Sequence, residues 1–156
     1  EESFDLAISI YFADGGAAVR RLLQKWGTTE HTLRGITEAP AASAEELDRL
    51  IDRWYSLRSR MSGFLLDYDA ILCPVNGGPA LLHGTVDAPE AFPAFSYTMT
   101  FNLTGWPGAV VRCGSSPDGL PIGVQVVARP AREDVALALA KQLEVALGGF
   151  VPPVLT

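Results

Sequence analysis

The chain has 156 residues, of which 48% are hydrophobic and 19% are charged, so it can fill a packed core and is too apolar for a disordered polypeptide. Its net charge of −6 excludes the basic surface that binding to nucleic acid or to an anionic membrane requires. No apolar run approaches the ~18–20 residues that a membrane-spanning helix needs, and the two cysteines lack CxxC spacing. We therefore expect a soluble, cytoplasmic protein with no membrane span.

The first third of the sequence has the periodicity of helices. Apolar residues recur at helical spacing over residues 3–26, and the glycine pair at 15–16 is expected to divide this region into two helices. Residues 27–42 show no periodicity, which predicts a surface connection. Ser43 and Glu46 have the spacing of a capping box, which predicts that a long helix begins there.

The remainder of the sequence predicts a small sheet with flanking helices. A Pro-Asp-Gly turn between two apolar runs indicates a β-hairpin. Three strands make a thin sheet for a chain this apolar, which favours the edge of a larger sheet supplied by another part of the protein. The predicted elements are a buried strand at 69–75, a loop at 76–93, a helix at 96–104, strands at 109–113 and 122–128, and a helix from Glu133 to about residue 147.

Side chains suited to catalysis are scarce. The run GSS at 114–116 is compatible with a nucleophile loop, but the Pro-Asp-Gly that follows predicts a turn instead. Both cysteines fall in apolar strand runs and are expected to be buried and inert, and no spacing matches a metal site or a cofactor motif. Among the polar candidates, Lys25, His31 and Lys141 are expected at the surface, and His83, in the Pro- and Gly-rich loop, is the better candidate for a site.

Four motifs, in a fixed order, carry a family resemblance. They are LDYDAILCP at 66–74, SYTMTFNLTGWPG at 96–108, DGLPIGVQVV at 118–127, and Leu-Glu followed by Gly-Gly-Phe within 143–150. Through them the chain resembles the C-terminal part of an amidase signature family enzyme, over roughly residues 45–150. The resemblance implies an α/β fold in which this segment forms the edge of a mixed β-sheet covered by helices.

The resemblance also implies how the chain is organised. Residues 1–156 would be the C-terminal portion of a single amidase domain, with a helical lead-in and loop at 1–44 and the best-matched part at 45–150. The sequence opens without Met and directly in a helical pattern, so we expect it to begin partway through a longer protein.

Enzymes of this family hydrolyse carboxamide C–N bonds through a Ser–cis-Ser–Lys triad, in which the lysine deprotonates the bridging serine and this serine activates the nucleophilic one. No residue of this chain matches the triad or its Gly/Ser-rich loop, so the resemblance assigns no catalytic residue, metal or cofactor here. By itself, without the missing N-terminal amidase half, the chain is expected to be inactive.

The matching part of similar enzymes lines the acyl side of the substrate pocket. By that register Phe92, Phe95 and Met99 are expected in the pocket wall and Asn76 near its mouth; packing of the three apolar side chains in the core is the equal alternative. The amidotransferase branch of the family carries an Asp seven residues before the position of Asn102, where this chain has Phe95. An aromatic ring there favours an amide with an apolar acyl or aryl group.

Three functions stay open at this point. The first is a serine amidase acting on a small-molecule amide, with a homodimer as one arrangement. The second is the amidase-type component of a glutamine-dependent amidotransferase that works with a partner and tRNA, against which Phe95 argues. The third is a non-catalytic scaffold remnant. Arg112 departs from the Pro that similar enzymes often have, and is expected to point outward or to pair with a carboxylate.

Overall fold

A computed structural model describes residues 2–31, 34–85 and 92–152, apart from the side chain of Arg34. The chain divides into two compact units, Glu1–Leu57 and Arg58–Thr156. Parts of two predicted segments, residues 32–33 of the connection and 86–91 of the loop, lie outside the described residues. No helix in the described ranges is long and apolar enough to cross a membrane.

The first unit is built from helices. They are α1 (Glu2–Tyr11), α2 (Ala17–Trp26), α3 (Arg34–Thr37) and the first part of α4 (Ala44–Phe64). Gly15 and Gly16 separate α1 from α2 as predicted, since both have positive φ angles, of 62° and 75°. The short helix α3 forms where the sequence predicted an irregular connection, so that prediction is wrong over those four residues.

Two side chains fix the beginnings of helices in this unit. Asp14 accepts hydrogen bonds from the backbone N–H groups of Gly16, at 2.8 Å, and Ala18, at 2.7 Å. The Ala18 bond is the main reason why the pKa of Asp14 is lowered. The predicted capping box is confirmed, because the N–H of Ser43 donates to Glu46 Oε2 at 2.7 Å and the N–H of Glu46 donates to Ser43 Oγ at 3.2 Å.

The second unit contains a three-stranded antiparallel sheet with the order β1-β3-β2. The strands are β1 (Ala70–Pro74), β2 (Gly108–Ser115) and β3 (Pro121–Ala128). The hairpin of β2 and β3 is confirmed, with Gly119 at φ 80° in its turn. Helix α5 (Ser96–Thr104) precedes the hairpin, and α6 (Glu133–Ala146) follows it and packs against β2 and β3. The predicted α/β fold class is confirmed.

The core of this unit lies around β3, the central strand. Leu65, Trp106 and Val127 are buried together. The strand at 69–75 forms, but the prediction that it is buried is wrong, since Leu72 is 57% exposed. The reason is its place at the edge of the sheet, where apolar composition alone does not bring neighbours to both faces. The cysteines are half-buried rather than buried.

Candidate functional site

Asn76, predicted near the mouth of a pocket, lies in the wall of a cavity of about 580 Å³. The cavity belongs entirely to the second unit and is formed by the loop that follows β1 and by the β2–β3 hairpin. Its wall comprises Val75, Asn76, Gly77, Gly78, Pro79, Ala80, Val110, Val111, Arg112, Pro121, Ile122 and Gly123.

The loop that follows β1 is fixed against the 3₁₀ helix Phe92–Phe95. The N–H of Gly77 donates to the carbonyl oxygen of Ala94 at 2.9 Å. A Cβ atom at Gly77 would lie 3.1 Å from the Cα of Ala94, so a larger residue would push the two segments apart. The cavity loop and the 3₁₀ helix are therefore positioned together.

The three apolar residues predicted for the pocket wall lie on this 3₁₀ helix and on α5. The rings of Phe92 and Phe95 meet edge to face, with centroids 6.2 Å apart and planes at 65°. Phe92 is 38% exposed, whereas Phe95 and Met99 are half-buried. None of the three lies in the wall of the cavity at Asn76, so the two sets of predicted residues are linked through Gly77 and Ala94 but do not share that cavity.

Gln125, in the middle of β3, holds the elements around the site together. Its side chain is buried, and Nε2 donates to the carbonyl oxygens of Pro74, at 3.0 Å, and Tyr97, at 3.3 Å. These bonds join the end of β1 to the first turn of α5. Gln125 was not among the residues predicted for the site; its one available signal was a lone polar residue in an apolar strand, which must find hydrogen-bond partners when buried.

Two polar side chains in the cavity wall have unused hydrogen-bonding capacity. The Oδ1 atom of Asn76 is buried and has no hydrogen-bond partner among the described residues. Arg112 is half-buried, and its Nη2 donates to Ser115 Oγ at 3.0 Å. Arg112 forms no ion pair with any described residue, so the expected carboxylate partner is not found in the described part of the chain.

The remaining candidates do not assemble into a catalytic set. Lys25 and Lys141 are exposed, as predicted, and His83 is exposed in its loop. His31 is half-buried rather than fully at the surface. Within the residues that the structure describes, no group of three or more His, Cys, Asp or Glu side chains is placed to hold a metal ion.

The thiol nearest to Gln125 is Cys73, its register partner in the β1–β3 pair. Burial raises the pKa of Cys73, and a hydrogen bond with the Gln125 side chain offsets part of this effect. A raised pKa keeps the thiol protonated and therefore weakly nucleophilic. The GSS run at 114–116 enters the predicted turn, where the N–H of Gly119 donates to the carbonyl oxygen of Ser116 at 2.9 Å.

Comparison with known proteins identifies the family. A family model described as Amidase matches residues 10–137. The chain therefore belongs to the amidase signature family.

Curated relatives give further detail, and those compared here are amidase-type components of glutamyl-tRNA(Gln) amidotransferases. The one from Xanthobacter autotrophicus is 38% identical over 90 residues, which are 56% of this chain and 18% of that protein. The corresponding protein of Azorhizobium caulinodans is 33% identical over 119 residues, 74% of this chain and 23% of that protein. The chain thus spans about a fifth of the length of these curated relatives.

Solved structures show the same fold. The corresponding glutamyl-tRNA(Gln) amidotransferase component of Thermotoga maritima matches with a TM-score of 0.61 and 25% identity, over 83% of this chain and 27% of that one. A 6-aminohexanoate cyclic dimer hydrolase in complex with its substrate matches with a TM-score of 0.70 and 23% identity, over 94% of this chain and 35% of that one. These similarities support an amidase-type enzyme.

Proposed function

We propose that this chain is the C-terminal portion of a serine amidase domain that hydrolyses a carboxamide with an apolar acyl or aryl group. The nucleophile, the bridging serine and the lysine come from an upstream portion of the same fold, and the chain alone is inactive. The observation that carries the proposal is the family match over residues 10–137 in a chain whose described residues offer no nucleophile and base in contact. We place the enzyme in the cytoplasm, because both cysteines are free thiols.

The exposed apolar surface of each unit supports a missing partner segment. On α4, Leu47, Ile51 and Tyr55 follow one another at intervals of four residues and are 41%, 38% and 59% exposed. On the two outer strands of the sheet, Leu72 and Val110 are each 57% exposed. Apolar surface of this kind is normally covered in a folded protein, and the remaining amidase fold is the segment we propose to cover it.

The substrate preference rests on Phe95 and its neighbours. Phe95 is half-buried beside the ring of Phe92, and Met99 follows one turn later on α5. Where the amidotransferase branch of the family carries an Asp, an aromatic ring offers apolar contact and no counter-charge for an ammonium group. We assign these three side chains to the wall that contacts the acyl or aryl group, and Asn76 to the mouth.

The amidase-type component of a glutamine-dependent amidotransferase is the second candidate, because the curated relatives at 33–38% identity are named as such. In that case the complete protein would release ammonia from glutamine and work with partner proteins. A non-catalytic remnant is the third, and it predicts that no Gly/Ser-rich nucleophile loop is encoded in frame upstream.

One experiment separates these candidates. The chain is joined to its upstream coding region, and release of ammonia is measured from benzamide and from glutamine. The proposal predicts turnover of benzamide in preference to glutamine. In the Phe95→Asp variant the preference shifts towards glutamine, whereas Phe92→Asp, the matched control, lowers both rates without reversing their order. Preference for glutamine by the unchanged protein would establish the amidotransferase instead, and no turnover of either would favour the remnant.

A further inference from the structure

The cavity at Asn76 contains one charged side chain and no counter-charge. Of the residues in its wall, Arg112 alone is ionised, and neither Asp nor Glu contributes to the lining. Other arginines differ from it: Arg49 lies 2.7 Å from Glu45, and Arg129 lies 3.5 Å from Asp69. A half-buried guanidinium that donates to a neutral hydroxyl keeps most of its five N–H donors available.

The second polar group of the cavity is the carboxamide of Asn76. Its Oδ1 is enclosed by protein without a hydrogen-bond partner among the described residues. Leaving such an oxygen unpaired costs roughly 1–3 kcal/mol. The amide nitrogen carries two further N–H donors, and no hydrogen bond in the described part of the chain uses them. Asn76 and Arg112 are therefore both sources of donors at the cavity wall.

The rest of the wall is apolar and closely packed. It is formed chiefly by Val75, Pro79, Val110 and Ile122. At Gly123, a Cβ atom would lie 2.9 Å from Val75 Cγ2 and 3.2 Å from Val110 Cγ1, so the absence of a side chain there lets the two valines approach β3. A volume of about 580 Å³ falls within the range of roughly 300–1,000 Å³ that is usual for small-molecule sites.

We propose that this cavity binds a small organic carboxylate whose body is apolar. The guanidinium of Arg112 and the amide N–H groups of Asn76 donate to the carboxylate oxygens, and the valine, proline and isoleucine side chains contact the body of the ligand. A carboxylate is the match because it only accepts hydrogen bonds and carries the missing charge. The proposal goes beyond the amidase reaction and does not depend on it, since it concerns binding by this chain alone.

Calorimetric titration of the 156-residue chain tests the proposal. The probe is 3-phenylpropionate, and its comparators are 3-phenylpropionamide, which has the same shape without the charge, and inorganic phosphate, which has charge without the apolar body. The carboxylate should bind at least about tenfold more tightly than either comparator, because a charge-assisted pair is roughly twice as strong as a neutral hydrogen bond. Equal affinity for the carboxylate and the amide, or for the carboxylate and phosphate, would overturn the proposal.

Variants locate the binding. Arg112→Gln should lose about tenfold in affinity for the carboxylate and none for the amide, whereas Lys141→Gln, which removes an exposed positive charge on α6, should change neither. Val110→Glu, at a position that is 57% exposed and lines the cavity, places a competing carboxylate beside Arg112 and should abolish the preference. It also serves if Arg112→Gln fails to fold by circular dichroism. An equal loss in Arg112→Gln and Lys141→Gln, or a preference kept by Val110→Glu, would refute the assignment.

Discussion

Replacing Gln125 by Met should destabilise the second unit, because it removes the donor that joins two elements. The Nε2 atom donates to the carbonyl oxygens of Pro74 and Tyr97, 51 and 28 residues away along the chain. Met has a similar length and shape, so the change removes the hydrogen bonds with little change in packing volume.

The expected loss follows from the two bonds. Each contributes about 1 kcal/mol net, and each carbonyl left unpaired in a dry site would add roughly 1–3 kcal/mol. Tyr97 is 40% exposed and Pro74 is exposed, so water can replace part of what is lost. We therefore expect the low end, about 2 kcal/mol, which is a large share of the roughly 5–15 kcal/mol that stabilises an ordinary domain.

The assay is unfolding in urea, followed by circular dichroism, with Gln142→Met as the matched control. Gln142 is exposed on α6, and its replacement should change the free energy of unfolding by less than about 0.5 kcal/mol. Hydrogen exchange should also accelerate at Gly77, whose N–H bond to Ala94 depends on the positions of β1 and α5. If the two variants unfold with the same free energy and Gly77 is unaffected, Gln125 does not position the site.

Three further predictions concern backbone space and ionisation. Gly16→Ala should cost at least about 3 kcal/mol, because a Cβ would lie 2.1 Å from the carbonyl oxygen of Ile36 at a φ of 75°, whereas Gly27→Ala, at a φ of 64° with open space around it, should cost about 1 kcal/mol; equal losses in urea unfolding would contradict the steric argument. The lowered pKa of Asp14 stabilises the fold above its ordinary value of 3.8, and this stabilisation is lost as the pH falls through the lowered value, so Asp14→Asn should flatten the acid limb of stability against pH; an unchanged limb would exclude the role of its hydrogen bonds. Because burial raises the pKa of Cys73 above its ordinary value of 9.0, its alkylation by iodoacetamide, followed by mass spectrometry, should have a midpoint at higher pH than that of a cysteine in an unfolded peptide, and a midpoint at or below the peptide's would contradict this.

Local signals in the sequence were enough to predict most of the elements. The capping box predicted the beginning of α4, the Pro-Asp-Gly turn predicted the hairpin, and Gly105, with its φ of 69°, ends α5 as expected. Each of these depends on residues within a few positions of one another.

The arrangement of the site depended on long-range contacts that local patterns do not encode. The partners of Gln125 lie on segments distant in the sequence, and Asn76 and Arg112 share a cavity only because β1 and the hairpin join one sheet. The exposure of Leu72 was missed for the same reason, since an apolar strand has the same pattern at the centre and at the edge of a sheet. The roles of Phe92, Phe95 and Met99 stay predictions.

The most direct test of the proposed function compares two polypeptides in one assay. Release of ammonia from benzamide is measured for the 156-residue chain alone and for the same chain joined to its upstream coding region. We expect turnover only in the longer polypeptide, and its loss when a serine-directed inhibitor is added. Turnover by the 156-residue chain alone that the same inhibitor abolishes would contradict the proposed function.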